Sequence, residues 1–282
     1  MPASHAPAVL IHAADGARAR VQLDGAQVTS WIPAGAAEDR LFVSARAEYG
    51  AGASVRGGIP ICFPQFGPFG PLPQHGFART TRWRVVREAG GDPGEARLVL
   101  THRDVADARP AVERDAWPHA FTAELLVQVE GAALAVRLDV LNTGDSALTF
   151  TAAFHPYFAV GDAFATSVHG LAGLTYRDAL RDGSVFLEDA AALAITGPID
   201  RIYYGAPEVL EVHEPDRSLR VEMSGFEDAV VWNPGAAITA AKRDFVPGDE
   251  RRMLCVEAAV VRRPVSLAPG ARWSGRQRMI AG

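Results

Sequence analysis

The sequence predicts an all-β protein folded as a large antiparallel β-sandwich. Short segments alternate apolar and polar residues with a period of two, which is the pattern of strands that bury one face. The 282 residues include 27 Gly and 19 Pro, enough turn formers to separate many short strands. No segment keeps an apolar stripe at helical spacing long enough to predict a core helix. These features favour a sandwich over an alternating α/β sheet, and residues 1–282 are expected to form a single domain.

The alternation predicts each strand in turn along the chain. Short strands are predicted first at residues 9–12, 17–23 and 97–101. Phe121–Glu130 (FTAELLVQVE) shows the pattern most clearly, because every second residue from Phe121 to Val129 is apolar and most of the others are polar. The Gly-rich residues 90–94 are interpreted as an exposed hairpin loop and not as a domain boundary.

A hairpin is predicted next. Residues 134–140 alternate again, the turn Asn-Thr-Gly-Asp at 142–145 follows, and residues 148–154 resume the alternation. We therefore predict that these two strands pair and that the second leads directly into His155. Later strands are predicted at residues 219–223, 229–232 and 253–261, and the segment SLAPG at 266–270 is expected to end a strand and turn into a final one.

Composition and charge argue against several classes of function. The formal net charge is -5 and no run of Lys or Arg occurs, so a nucleic-acid partner is not expected. Lys242 is the only lysine, and an anion site is therefore expected to use arginine. No apolar stretch reaches the roughly 18 residues of a membrane span, and the N-terminus lacks the pattern of a signal peptide. We expect a reduced, cytoplasmic monomer without a membrane partner.

Common catalytic and metal-binding motifs are absent from the sequence. It contains none of the patterns GxGxxG, GxxxxGK[ST], HExxH or GxSxG, so nucleotide-binding, zinc-protease and serine-hydrolase functions lack their usual support. The eight histidines are scattered, and Cys62 and Cys255 each stand alone in an apolar segment. Neither a metal site nor a disulfide is expected.

The first unusual stretch has two parts, residues 56–67 (RGGIPICFPQFG) and residues 74–79 (QHGFAR). Loops this rich in Pro, Gly and aromatic residues are costly to expose unless they pack or line a pocket. The stretch also carries Arg56, Arg79 and the pair Gln74-His75. The functional interpretation is an ordered rim that offers two arginines to an anion. The alternative is a packed loop with ordinary surface arginines.

Two further stretches hold a candidate acid and a candidate base. His155 in FHPYF ends a predicted strand, and Pro156 holds it in extended geometry. An imidazole can act as a general acid near neutrality, although a histidine among aromatic residues is more commonly a packing residue. Glu257 closes the apolar run MLCVE. Residue type alone favours the exposed face of a strand for Glu257, and a partly buried position would tune its pKa for catalysis.

Six motifs, taken in their order, resemble the hexose-6-phosphate mutarotase branch of the aldose 1-epimerase family. They are RGGIPICFPQFG, LPQHGFAR, FHPYF, IDRIY at 199–203, VVWNP and MLCVE, and the resemblance extends to LAPG near the end. It implies the galactose-mutarotase type of sandwich (supersandwich) and interconversion of hexose 6-phosphate anomers, with glucose 6-phosphate as the expected substrate and no metal or cofactor. One departure is Gly235, because relatives often carry a second Trp after WNP.

The resemblance also implies roles for individual residues. His155 would be the catalytic acid and Glu257 the catalytic base, on opposite sides of the sugar ring. Ring opening removes a proton from the C1 hydroxyl and delivers one to the ring oxygen, which such a pair can do together. Arg56 and Arg79 would contact the phosphate. The residues implied to line the sugar-phosphate site are Arg56, Gln74, His75, Arg79 and Asp200. Trp232 is a further candidate for the pocket wall, with a place in the core as the alternative.

Three other functions stay open at this point. A catalytically silent sugar-phosphate or carbohydrate-binding module would keep the arginines without needing His155 and Glu257. A glycoside hydrolase or lyase would want two carboxylates, for which Asp200 and Glu257 are available. An epimerase of unphosphorylated aldoses would show no preference for a sugar phosphate.

Overall fold

The computed structural model describes residues 6–86 and 94–282, so the loop predicted at residues 90–94 lies outside the described residues except for Gly94. The described residues are mainly strands joined by turns. In chain order the strands are β1 (Ala8–His12), β2 (Arg18–Gln22), β3 (Val28–Ile32), β4 (Ile61–Cys62), β5 (Arg84–Val86), β6 (Glu95–Thr101), β7 (Phe121–Glu130), β8 (Ala133–Asn142), β9 (Leu148–Phe154), β10 (Tyr157–Ala159), β11 (Ser167–His169), β12 (Thr175–Asp178), β13 (Ser184–Leu187), β14 (Ala192–Ala194), β15 (Ile199–Tyr204), β16 (Val209–His213), β17 (Ser218–Ser224), β18 (Asp228–Asn233), β19 (Met253–Leu267) and β20 (Arg272–Ala281).

These strands form three sheets in which neighbouring strands run antiparallel. A small sheet has the order β1-β2-β3. An eight-stranded sheet has the order β13-β12-β15-β18-β19-β9-β4, with β10 also paired to β19. A nine-stranded sheet has the order β14-β11-β16-β17-β20-β8-β7-β6-β5. The predicted all-β antiparallel sandwich is therefore confirmed.

The two large sheets pack face to face around one apolar core. In β19, Leu254, Val256 and Ala258 belong to that core, and the residues between them face the other side of the eight-stranded sheet. The buried Gln277 of β20 donates a hydrogen bond from its amide to the Val256 carbonyl at 3.1 Å, which links the two sheets. The eight-stranded sheet thus has an inner face on the core and an outer face, and both are largely buried.

The predicted strand bounds agree closely with the structure where the alternation is strong. β7 spans the predicted Phe121–Glu130, and β9 spans the predicted residues 148–154. β19 runs on to Leu267, past the predicted end at residue 261, through a register shift between Val260 and Val265.

The predicted hairpin between residues 134–140 and 148–154 is wrong. β8 pairs with β7 and β20 in the nine-stranded sheet, whereas β9 pairs with β19 and β4 in the eight-stranded sheet. The chain crosses between the sheets at residues 142–145, where the Asn142 amide donates to the carbonyls of Ser146 and Leu267 at 2.8 and 2.9 Å. Two strands that face each other across a core show the same alternation as two that pair side by side, so the pattern does not identify the partner.

Helices are few and short, as the lack of a helical stripe predicts. α1 (His102–Ala108) and α2 (Ala111–Ala116) lie between β6 and β7, and α3 (Gly235–Ala241) follows β18. Thr101 and Asp104 form a capping box at the start of α1. Across residues 6–86 and 94–282, no helix is both long enough and apolar enough to cross a membrane.

Candidate active site

A cavity of about 500 Å³ lies on the outer face of the eight-stranded sheet. Its wall contains all eight side chains that the sequence singles out as catalytic or substrate-binding. They are Arg56, Gln74, His75, Arg79, His155, Asp200, Trp232 and Glu257. The other lining residues are Phe66, Gly67, Pro68, Phe69, Tyr157, Arg177, Ala179, Asp182, Gly183, Ile202, Val230 and Lys242.

The register of the paired strands determines which residues form the floor of this cavity. Asp200 of β15 is opposite Trp232 of β18, and Val230 of β18 is opposite Glu257 of β19. Phe154, the last residue of β9, is opposite Ala258, so the following His155 comes next to Glu257. Because alternate residues of a strand share a face, Asp200, Val230, Trp232, His155 and Glu257 point outward, whereas Phe154 and Ala258 point into the core.

His155 and Glu257 form a buried contact at the floor. His155 Nδ1 is 3.3 Å from Glu257 Oε1, and the exposed fractions of the two residues are 8% and 1%. The two groups are not aligned for a hydrogen bond. Within residues 6–86 and 94–282, His155 Nδ1 and Glu257 Oε2 have no hydrogen-bond partner. Buried polar atoms normally have partners. A bound ligand can therefore form the hydrogen bonds that these two atoms lack.

Two expectations about this pair are corrected. Glu257 is fully buried instead of lying on an exposed strand face, because β19 is covered on both faces. The acid and base lie side by side, and not on opposite sides of a space for a sugar ring. This arrangement still suits ring opening, since the C1 hydroxyl oxygen and the ring oxygen are bonded to the same carbon.

Burial shifts the pKa of both groups toward their neutral forms. It raises the pKa of Glu257 well above its usual value, with the nearby Asp200 adding to the effect. Burial lowers the pKa of His155 well below its usual value, and the neighbouring His75, Arg79 and Arg56 add to that. In the unliganded site burial therefore favours the uncharged pair, with a proton on Glu257 and a neutral His155.

Aromatic side chains fix the orientation of His155. Its ring stacks on Tyr157 with centroids 4.9 Å apart and an interplanar angle of 7°. Trp232 meets it edge to face at 5.6 Å, and His75 does so at 5.8 Å. Trp232 thus forms part of the cavity wall and is only half-buried.

Arg56 is held in place by several partners. Its Nη2 is 2.8 Å from Asp244 Oδ2, its Nε donates to the same oxygen at 2.9 Å, and its Nη1 donates to the Tyr157 hydroxyl at 2.9 Å. The guanidinium also lies over the Phe245 ring at 4.8 Å. Most of its charge is therefore already compensated by protein.

Three other cations at the cavity have no carboxylate partner within the described part of the chain. Arg79 donates to the Gln74 carbonyl at 2.8 Å, and its buried Nε has no hydrogen-bond partner. Arg177 lies over the Phe69 ring at 5.1 Å. Lys242 is exposed at the end of α3. The cavity thus combines four basic side chains with three acidic ones (Asp182, Asp200 and Glu257), and the pKa of two of these acids is raised.

Sequence reasoning missed four residues of this site. Tyr157, Arg177, Lys242 and Asp244 either line the cavity or hold a residue that does. Tyr157 could have been predicted, because it lies in the FHPYF motif, but the other three residues lie in segments without a recognisable pattern. Lys242 lines the cavity as well, so its basic side chains are not all arginines.

Gly235, the departure from the WNP motif, has a structural reason. Its φ is +66°, and a Cβ at this position would come within 2.8 Å of the Pro198 side chain. Its N–H donates to the Asn233 side chain at 2.9 Å and α3 begins there. A larger residue would strain this turn.

Comparison with known proteins gives matches over nearly the whole chain. A family model described as aldose 1-epimerase matches residues 7–279. A Cenchrus ciliaris protein with the provisional name glucose-6-phosphate 1-epimerase is 36% identical over 97% of this chain and 84% of its own length. A Salmonella typhimurium protein with the same provisional name is 30% identical over 88% of this chain and 81% of its own length.

Solved structures show the same fold. A crystal structure of a Salmonella typhimurium protein, provisionally described as a mutarotase, has a TM-score of 0.85 at 26% identity, covering 98% of this chain and 90% of that one. A galactose mutarotase-like protein from Lactobacillus casei has a TM-score of 0.75 at 17% identity, covering 98% of this chain and all of its own. These likenesses agree with the expected galactose-mutarotase type of sandwich.

Proposed function

The chain belongs to the aldose 1-epimerase family, whose members interconvert the anomers of sugars, and we propose that its substrate is a hexose 6-phosphate, with glucose 6-phosphate preferred. The observation that carries this proposal is the buried His155–Glu257 contact at the floor of a cavity with four basic side chains. The contact can transfer the protons that ring opening requires, and the basic side chains favour a substrate that carries a phosphate.

The proton chemistry follows from the single proton that the pair holds. Ring opening uses the form with the proton on His155, which gives it to the ring oxygen while Glu257 takes the proton of the C1 hydroxyl. Afterwards the proton is on Glu257 and His155 is neutral, the distribution that burial favours in the unliganded site. Rotation about C1–C2 and the reverse transfers close the ring on the other face. An acid and a base of this kind contribute roughly 10²–10⁴-fold each.

The phosphate would be held at the basic side of the cavity, with Arg79 and Arg56 as its contacts. Arg79 should carry more of the binding. Among the described residues it has no carboxylate partner and its Nε has no hydrogen-bond partner, whereas Arg56 is paired with Asp244. Arg177 and Lys242 add positive charge. Each charge-assisted hydrogen bond is worth about 1.5–3 kcal/mol, which corresponds to about 10- to 100-fold in affinity.

Gln74, His75, Asp200 and Trp232 would bind the sugar. Asp200 offers a carboxylate acceptor for hydroxyl groups, His75 offers an imidazole nitrogen, and Trp232 offers an aromatic edge beside His155. Gln74 is exposed at the rim and its carbonyl accepts from Arg79, so it couples the sugar site to the phosphate site.

The test is anomer exchange of glucose 6-phosphate measured by magnetisation-transfer NMR against the spontaneous rate. Wild type should accelerate exchange, and His155→Ala and Glu257→Gln should each remove most of the acceleration. His169→Ala, which changes a histidine of β11 outside the cavity, is the matched control and should keep it. Arg79→Met should raise KM for glucose 6-phosphate about 10- to 100-fold, while Arg103→Met on the exposed side of α1 should not.

The competing functions predict different outcomes in the same assay. Folded wild type that binds glucose 6-phosphate without accelerating exchange would indicate a silent binding module. Equal catalysis on free glucose and glucose 6-phosphate would indicate an epimerase of unphosphorylated aldoses. Release of free sugar from a glycoside would indicate a hydrolase that uses Asp200 and Glu257.

A further inference from the structure

We propose that Cys62 is a positioning residue whose thiol, together with the backbone amide of Gly67, fixes His75 as the neutral tautomer with its proton on Nε2. In that form His75 presents a hydrogen-bond donor to the cavity and cannot act as a second acid. Its part in catalysis rests on the proposed function. The tautomer itself is a property of the unliganded protein.

The contacts of His75 Nδ1 carry this inference. The Gly67 backbone nitrogen is 3.2 Å from His75 Nδ1 and donates to it. A backbone N–H can only donate, so His75 Nδ1 must be the unprotonated nitrogen of the ring. Cys62 Sγ lies 3.1 Å from the same atom. A thiol in that position donates its S–H to His75 Nδ1, so two donors converge on one acceptor.

Cys62 is suited to act as a donor and not as a nucleophile. It is fully buried in β4, and burial, with Glu257 nearby, raises the pKa of its thiol. The sulfur therefore keeps its proton, which is the state that donates to an imidazole nitrogen. The chemistry proposed for His155 and Glu257 makes no use of this thiol.

The opposite nitrogen of His75 is at the cavity. His75 Nε2 is 3.4 Å from the Gln74 side-chain amide, and a half-turn of that amide brings its oxygen to the position where it accepts the Nε2 proton. Gln74 is exposed, so its side chain can leave when a sugar oxygen arrives to take this proton. His75 thus offers one fixed donor to substrate.

The backbone also holds the ring in place. His75 has φ of +68°, a left-handed conformation that is uncommon for a residue other than glycine. The next residue, Gly76, has φ of +70°, and a Cβ there would overlap the Phe63 carbonyl oxygen, so the turn is packed against the chain before it. A strained turn held by packing is typical of functional sites.

The consequence concerns the proton count of the site. The charged and titratable groups facing the His75 ring are Arg79 and Arg56, with Cys62 on one side and His155 at a centroid distance of 5.8 Å. With His75 Nδ1 occupied by two donors, a proton cannot add there without breaking both contacts. His75 then does not compete for the proton shared by His155 and Glu257.

The test is ¹⁵N NMR of imidazole-labelled protein without ligand, for wild type, Cys62→Ala and Cys62→Ser. Wild type should show a pyridine-like shift for Nδ1 and a pyrrole-like shift for Nε2 of His75. Cys62→Ala should give a mixed tautomer population and a raised pKa of His75, and Cys62→Ser, which keeps a donor, should restore the wild-type spectrum. Cys255→Ala is the matched control, since Cys255 is the other buried thiol and has no contact with His75. It should leave the His75 spectrum unchanged.

Activity gives a second readout. Cys62→Ala should lower kcat/KM by about two- to tenfold, the range for loss of one neutral hydrogen bond, and Cys62→Ser should recover most of it. A wild-type His75 protonated on Nδ1, or a Cys62→Ala spectrum and pH titration identical to wild type, would overturn the proposal. If the spectra behave as expected and glucose 6-phosphate exchange is not accelerated, the tautomer assignment stands and the proposed function is what fails.

Discussion

The pKa values of individual ionisable residues at the cavity floor are all shifted so that the uncharged form is favoured. Glu257 has a raised pKa, His155 a lowered one, the pKa of His75 is lowered to about 3, and that of Asp200 is raised to about 6. Burial is the largest cause in each case. The wall of the same cavity carries four basic side chains, which favours an anionic ligand.

Asp200 provides a prediction that depends on pH. Burial, with Asp178 nearby, raises its pKa to about 6, so the acceptor that binds sugar hydroxyls is present above pH 6 and is lost below it. We expect Asp200→Asn to weaken binding of the non-reacting analogue 1,5-anhydroglucitol 6-phosphate by about 10- to 100-fold at pH 8. The ratio of variant to wild-type Kd should shrink toward one at pH 5. Isothermal titration across this range measures it, and the phosphate's own titration cancels in the ratio.

Thermal unfolding of the same variant separates binding from folding. The folded-state pKa of Asp200 is raised above its ordinary value of 3.8, so its contribution to stability is present at low pH and is lost as pH rises through about 6. At pH 8 Asp200→Asn should therefore unfold at the same or a higher temperature than wild type. A Kd ratio that stays near one from pH 5 to 8 would remove Asp200 from the sugar site.

At the scale of elements, the placement of Arg56 at the cavity depends on Gly57. Gly57 has φ of +124°, and a Cβ there would overlap the Phe42 carbonyl oxygen and the Val43 Cα. Arg56 precedes it, and the Arg56 carbonyl accepts from the Ser44 N–H at 2.9 Å. The close approach of these segments is possible only without a side chain at position 57.

Gly57→Ala is therefore expected to be strongly destabilising. Backbone strain and overlap together should cost about 2–5 kcal/mol in the free energy of unfolding, and displacement of Arg56 should lower kcat/KM of the molecules that remain folded. Urea denaturation measures the first effect. Gly52→Ala is the matched control, because Gly52 also has positive φ (+80°) but has no atom within 4 Å of the added Cβ. It should cost only about 1–2 kcal/mol. Equal losses in the two variants would contradict the packing argument.

The elements also show how far the sequence determines fold and site. The alternation in Phe121–Glu130 gave the bounds of β7 and the buried face, because both depend only on local periodicity. The pairing of β8 and β9 was wrong, because partner choice depends on the whole sandwich. The burial of Glu257 was missed for the same reason, since the cover over its face comes from segments far away in sequence, among them the loop with Arg56 and His75.

At the scale of the whole molecule, the overall charge and the charge of the cavity have opposite signs. The chain carries a formal net charge of -5, and the cavity has four basic side chains beside three acids, of which two have a raised pKa. A chain of this length has a radius of gyration of about 19 Å. The Debye length is about 30 Å at 0.01 M salt, about 10 Å at 0.1 M and about 3 Å at 1 M. A dianion therefore senses the whole molecule at low salt and only the cavity at intermediate salt.

This difference in range predicts a maximum in the affinity for a sugar phosphate as salt is varied. At 0.01 M NaCl the net negative charge repels 1,5-anhydroglucitol 6-phosphate, and raising the salt to about 0.1 M screens that repulsion, because the Debye length falls below the molecular radius. Toward 1 M the attraction of the cavity is screened as well, so Kd should rise again. Unphosphorylated 1,5-anhydroglucitol should show no such dependence, and Arg79→Met should reduce the loss of affinity at high salt. An affinity for the phosphate that is flat from 0.01 to 1 M would mean that the basic side chains do not hold the phosphate, whereas a steady decline from the lowest salt would mean that the cavity governs attraction even at long range.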